Sequence, residues 1–251
     1  MSAATLSGSL LAACGPGHCG IATYLAEHST WSGPDSLPHR LVQHVELSGE
    51  ALLVAIALAL PVSVALGHLG KGGVLAVNIS NVGRAVPSLA VLVIGARIYG
   101  LGTLPAFLAL VVLAIPPIVT NGYTAMRHVD ADVRDAAAGQ GLSGVQVLRR
   151  IELPLALPLL MAGVRTAGVQ VVATATLAAY VGSGGLGATV LSGLVNNEVG
   201  PEVVGGLTVV GLAALTELGL AGLQRALTPD GLRRRPGRQP MLADAIAPDL
   251  G

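Results

Sequence analysis

Apolar residues fall in five long runs separated by polar breaks, and each run approaches the ~20-residue length that a helix needs to cross a bilayer. The first spans about residues 49–69 and holds Pro61, a predicted kink of the sort membrane helices tolerate when neighbours satisfy the freed carbonyl. The second, about residues 74–98, is uneven, with Asn78, Ser80, Asn81 and Arg84 in its first half and Pro87 after them. That half should face protein or water, not lipid. The third, about 100–123, carries Pro116 and Pro117; the fourth, about 155–181, carries Arg165; the fifth, about 203–223, carries Glu217. The predicted fold class is all-α, a polytopic membrane protein with about five transmembrane helices.

Ahead of the first run, Trp31, Gly33, Pro34 and Pro38 mark turns, and residues 41–47 form an amphipathic stretch expected to lie on the outer membrane surface. The chain then divides into an extracytoplasmic N-terminal segment (residues 1–48), a transmembrane domain (49–227) and an arginine-rich cytoplasmic tail (228–251) whose polar, Pro-containing composition predicts disorder. No internal repeat is visible.

Composition agrees with the pattern. The chain of 251 residues is 52% hydrophobic and 11% charged, against ~25% charged in a soluble domain. A soluble surface of this size would need more charge. Net charge is zero and aromatics are 2% of residues, which removes both a general attraction to nucleic acid and the stacking platforms that bases need. Placement says more than the total. Ten of the fourteen basic residues, among them Lys71, Arg127, Arg134, Arg149, Arg150 and Arg225, fall in one set of loops and the tail, whereas the opposite set holds Arg40 and Arg97. The positive-inside rule then puts the N-terminus outside, and the loop between runs three and four and the C-terminus inside, in the cell membrane. Tyr99 and Tyr180 fall at outer helix ends and Tyr123 at an inner one, positions suited to interfacial anchoring.

Several motifs lose their meaning in context. Cys14 ends a lipoprotein-like box, but residues 1–39 lack the basic start of a secretory signal; Cys14 and Cys19 are either bridged or two free thiols. Residues 182–187 satisfy the G-x-G-x-x-G spacing, yet a long apolar helix precedes them where a dinucleotide site needs a short strand. The Leu69-Gly70-Lys71-Gly72 stretch lacks the spacing of a phosphate-binding loop. No ATP site, metal cluster, cofactor motif or nucleophile is expected, so the chain should not be an enzyme.

Residues 124–154 are the longest polar segment between runs, and such segments usually have a function. Asp132 can cap a first short helix that Gly139 and Gly141 end. Ser143, three residues before Gln146, makes a capping box for a second helix from Gly144 to about Leu153. Between them, Ala136, Ala137 and Ala138 either favour helix and nothing more or offer a surface that another protein can approach closely.

The run Asp135-Ala136-Ala137, three residues, Gly141, nine residues, Ile151-x-Leu153-Pro154 resembles the cytoplasmic EAA signature of permease subunits of binding-protein-dependent ABC importers, with Asp135 in place of the usual Glu. GRAVPSLAVL (83–92), RRIELPLALPLLMAGVRTA (149–167) and ATATLAAYVGSGGLG (173–187) resemble the permeases of the glycine betaine, carnitine and choline (osmoprotectant) branch. The resemblance covers about residues 41–227. It implies the type I importer fold, in which the loop at 132–154 supplies a coupling helix that docks on a cytoplasmic ATPase subunit. By this resemblance Asp135, Ala136, Ala137 and Gly141 make the contact, while Ile151, Leu153 and Pro154 join the arm to helix four. It also implies an extracytoplasmic substrate-binding protein, a second permease subunit (the same chain or a sister), surrounding membrane lipid, and no cofactor or nucleic acid. Within the runs, Arg84, Arg165 and Glu217 are functional candidates because charge in a bilayer is costly. Arg165 is expected to snorkel to the inner interface in preference to a gating role; Glu217 has no obvious partner in the sequence, Arg84 being one candidate. Ser88, Thr174 and Thr176 could line a path or serve helix packing. Alternatives to osmoprotectant import are import of another small solute such as an amino acid, and a proton-coupled carrier or channel.

Overall fold

The structure, a computed structural model, describes residues 20–228, excluding the side chains at 75, 77, 80, 81, 82 and 84. Cys14, Cys19 and the tail from 229 therefore lie outside the described residues.

In hydrocarbon the backbone must satisfy its own hydrogen bonds, and here every apolar run is helical. The helices are α1 (Ile21–Ala26), α2 (His28–Trp31), α3 (Leu37–His68), α4 (Gly73–Ala85), α5 (Ser88–Tyr99), α6 (Thr103–Arg127), α7 (Ala131–Gly139), α8 (Gly144–Val147), α9 (Leu153–Thr174), α10 (Leu186–Asn196) and α11 (Val199–Leu227). A π-turn, Leu148–Glu152, joins α8 to α9, and a 3-10 segment, Ala175–Val181, extends α9. Among the described residues four helical stretches are long and apolar enough to cross a membrane: Leu37–His68, Thr103–Arg127, Gly144–Val181 and Val199–Leu227.

Three boundaries differ from the sequence expectation. The first span begins at Leu37, so residues 41–47 belong to α3 and are not a separate surface segment; the expected boundary at 48/49 falls inside a helix. The reason is tertiary. The polar side chains of this first stretch find protein partners: His44 Nε2 lies 2.9 Å from the Val172 carbonyl, and Gln43 Oε1 accepts the Gly185 N–H at 3.1 Å. Pro38, read as a turn residue, stands in the first turn of α3, where its missing N–H costs nothing.

The second run is broken. α4 stops at Ala85 because Pro87 disfavours helical geometry at Val86, the residue before it; Pro87 itself is extended, at φ −64° and ψ 120°. The fourth span begins at Gly144, eleven residues earlier than expected, since α8, the π-turn and α9 form one continuous rod; the second short helix of the polar loop is therefore the start of this span. Helix α10 lies between the fourth and fifth runs, after the glycine-rich turn at 182–185.

Helix α6 is central, packing against α3, α9, α4 and α5, while α11 covers α9 and α10. Leu92, Leu110, Ile118 and Val171 form the heart of the core. Pro116 and Pro117 sit inside α6 without ending it. Proline at 117 frees the carbonyl of Leu113, and the Gln170 side chain of α9 donates to it at 3.4 Å. The approach of α9 to α6 needs Gly163: a Cβ there would stand 2.6 Å from Asn121 Cβ and 3.1 Å from the Pro117 carbonyl. Small residues at such crossings let membrane helices pack backbone to backbone. Tyr123 is partly buried against this core, whereas Tyr99 and Tyr180 are exposed.

Candidate functional site

The polar loop folds around two caps. The side chain of Asp130, and not that of Asp132, caps α7 by accepting the Asp132 N–H at 2.9 Å. Asp132 instead sits in the first turn, where a negative charge complements the helix dipole. The Gly141 N–H donates to the Ala138 carbonyl at 2.9 Å, and Gly141 turns the chain at φ +85°, a conformation glycine adopts without penalty. Ser143 and Gln146 then form the expected capping box, with Gln146 Oε1 accepting the Ser143 N–H at 2.8 Å.

Within this corner Asp135, Ala136 and Gly141 are exposed, together with Ala138 and Gly139. Ala137 differs: it is 7% exposed and packs against the protein. Ile151 lies in the π-turn, and the half-buried Leu153 and Pro154 open α9.

Sequence reasoning missed Glu152. Its side chain is buried, its Oε2 lies 2.5 Å from His68 Nδ1 at the end of α3, and its Oε1 lies 3.7 Å from Arg134 Nη1 of α7. One carboxylate thus ties the first span, the short helix α7 and the base of the fourth span. Burying a carboxylate is costly unless it is paired and hydrogen-bonded, and π-turns recur at functional positions. A sequence signal existed: Glu152 is the sole Asp or Glu between Asp135 and Glu198.

A second polar region lies within the spans. Arg165 pairs with Glu217 of α11, and its Nη1 donates to Gln224 Oε1 at 2.7 Å; Gln224 Nε2 in turn donates to the Pro158 carbonyl at 2.9 Å. Arg165 follows Leu153 by twelve residues, about 18 Å along the helix axis. Its guanidinium is held by α11. Glu217 takes Arg165 as partner in place of Arg84, whose side chain lies outside the described residues.

The ion pair lines an open groove of about 690 Å³ between α9 and α11, with Thr166, Gln170 and Ala213. A neighbouring cavity of about 340 Å³ is lined by Ser88, Thr120, Asn121, Thr174 and the same Thr166 and Gln170. Thr166 and Gln170 line both, so the two lie side by side along α9. Ser88 and Thr174 therefore line this face, whereas the Thr176 hydroxyl donates to the Ala173 carbonyl at 2.5 Å. The glycine-rich segment turns the chain at Gly182, Gly184 and Gly185, all with positive φ, between the 3-10 segment and α10. Helix on its upstream side is incompatible with a dinucleotide turn, which follows a strand.

Comparison with known proteins agrees with this architecture. The sequence profile of the family described as "Binding-protein-dependent transport system inner membrane component" matches residues 52–229. The choline transport system permease protein OpuBB of Bacillus subtilis is 35% identical over 200 residues, 79% of this chain and 91% of that protein. The glycine betaine/carnitine/choline transport system permease protein OpuCB of the same organism is 35% identical over 199 residues, 78% of this chain and 91% of that one. Among solved structures, an inward-facing form of the MetNI methionine ABC transporter superposes with a TM-score of 0.66 at 22% identity, covering 75% of this chain and 94% of the matched one.

Proposed function

The chain belongs to the family of binding-protein-dependent transport system inner membrane components, and from that premise we propose that it is the permease subunit of an ATP-driven importer for a small osmoprotectant of the glycine betaine, carnitine and choline class. It is a multi-pass inner membrane protein and a transport subunit; ATP hydrolysis belongs to a separate chain. The observation that carries the substrate class is the 35% identity, across nearly the whole membrane region, to permeases named for choline and for glycine betaine, carnitine and choline.

In this reading α7 is the coupling helix. The exposed Asp135, Ala136 and Gly141 meet the ATPase subunit, and Glu152 makes the arm move with the first and fourth spans. Closure of the ATPase pair then tilts the rods α3 and α8–α9 against each other and switches the access of the polar face along α9. That placement sets the loop and the C-terminus inside and the N-terminus outside, as the basic residues favour. A second permease subunit, either another copy or a sister chain, completes the path. Quaternary ammonium groups are ordinarily gripped by aromatic faces, and aromatics are 2% of this chain. Selective capture therefore falls to the extracytoplasmic binding protein.

The test is uptake by proteoliposomes holding the chain with its ATPase and binding protein. ATP-dependent accumulation of labelled glycine betaine or choline is expected. Uptake by the chain alone under a proton gradient would contradict the importer reading, and ATP-dependent uptake of an amino acid in place of these solutes would change the substrate class.

A further inference from the structure

The Arg165–Glu217 pair is more than is needed to hold α9 against α11. In a bilayer a pair of apolar side chains would do that without the desolvation of two ions. The pair is also not sealed into the core: its side chains keep 29% and 38% exposure and form part of the wall of the 690 Å³ groove. Thr166 and Gln170 of the same wall also line the adjacent cavity, with Ser88, Thr120, Asn121 and Thr174. One place along this wall thus offers a fixed positive and a fixed negative charge side by side.

A betaine carries the matching charges. Its trimethylammonium group has no N–H to donate, so it is stabilised by aromatic faces, by oxygen dipoles and, most strongly, by an anion. No aromatic side chain lines either cavity, which leaves Glu217 as the available anion. Beside it, Ala162, Ala173, Ala213 and Ala214 provide small apolar surface for N-methyl groups. The carboxylate end would meet Arg165, whose guanidinium favours carboxylates through its planar fork of donors. We propose that Arg165 and Glu217 form a transit subsite for quaternary ammonium solutes, with Glu217 facing the ammonium and Arg165 facing the carboxylate where there is one. The proposal rests on the osmoprotectant reading above.

Glycine betaine and choline separate the two roles, because choline has no carboxylate. In proteoliposomes of the full complex, Arg165→Gln should lower the ratio of betaine to choline uptake by about tenfold or more, the factor that ~1.4 kcal/mol of lost interaction gives. Arg165→Lys should keep that ratio within about threefold of wild type by retaining the charge, and Glu217→Gln should lower uptake of both solutes by about tenfold. A ratio is independent of how much variant protein inserts. An unchanged ratio in Arg165→Gln, or wild-type uptake of both solutes in the Arg165→Gln/Glu217→Gln double variant, would make the pair purely structural and overturn the proposal. Wild-type complex that imports neither solute would bring down the substrate reading first, and this proposal with it, before any variant is compared.

Discussion

Glu152 and His68 stand 84 positions apart in sequence and meet at 2.5 Å, joining the base of the fourth span to the C-terminal end of the first. Arg134 completes the cluster from α7. Replacing Glu152 with Leu should remove both contacts and leave two basic groups facing an apolar side chain. Thermal unfolding of the purified protein should then show a loss of about 1–3 kcal/mol, the usual cost of orphaning buried polar groups. In a double-mutant cycle with His68→Gln, the two losses should be non-additive by about 0.5 kcal/mol or more. Strict additivity would mean that the two side chains do not act as a pair.

Helix α9 can reach α6 only because residue 163 has no Cβ. Gly163→Val should destabilise by about 1–3 kcal/mol through overpacking against Asn121 and Pro117. Gly139→Ala is the control, since a Cβ there meets nothing within 4 Å; replacing a helical glycine should be neutral or stabilise by up to about 1 kcal/mol. Detergent melting curves decide both, and equal tolerance at the two positions would contradict the helix crossing.

At Gly141 the constraint is conformational. A side chain would occupy open space but would have to accept φ +85°, at a cost of about 1–2 kcal/mol. Gly141→Asp should therefore still insert and fold while placing an extra charge at the exposed corner beside Asp135. ATP-dependent uptake should be abolished in the assembled system; full transport by this variant would remove the corner from the ATPase contact.

Orientation can be read with a membrane-impermeant thiol reagent on intact cells. In a background with Cys14 and Cys19 replaced by Ser, Asp35→Cys should label from outside, and Arg149→Cys only after the membrane is opened. Both positions are exposed in the structure, so accessibility within the protein does not confound the result. The reverse pattern would invert the assignment of the coupling arm to the cytoplasm.

Much of the site was legible because its signals are local. The capping box at Ser143 and Gln146 and the turn at Gly141 depend on residues within a few positions of each other. The cap of α7 was misplaced by two residues, from Asp130 to Asp132, because either aspartate can serve and only the path of the chain leaving α6 chooses between them. Ala137 was counted with its neighbours because composition does not tell which side of a short helix packs inward.

By itself, the sequence determined that the chain crosses a membrane several times, that its basic residues gather on one side, and that a capped corner interrupts the third and fourth spans. These follow from length, polarity and local hydrogen bonding, which neighbouring residues decide among themselves. Tertiary structure alone decided that Glu217 takes Arg165 rather than Arg84, that Glu152 closes on His68 and Arg134, and that Thr166 and Gln170 stand in the walls of two adjacent cavities. Partners on different helices depend on how each rod is rotated and how deep it sits. Those quantities are set by close crossings such as Gly163 on Asn121, which no pattern along a single helix records.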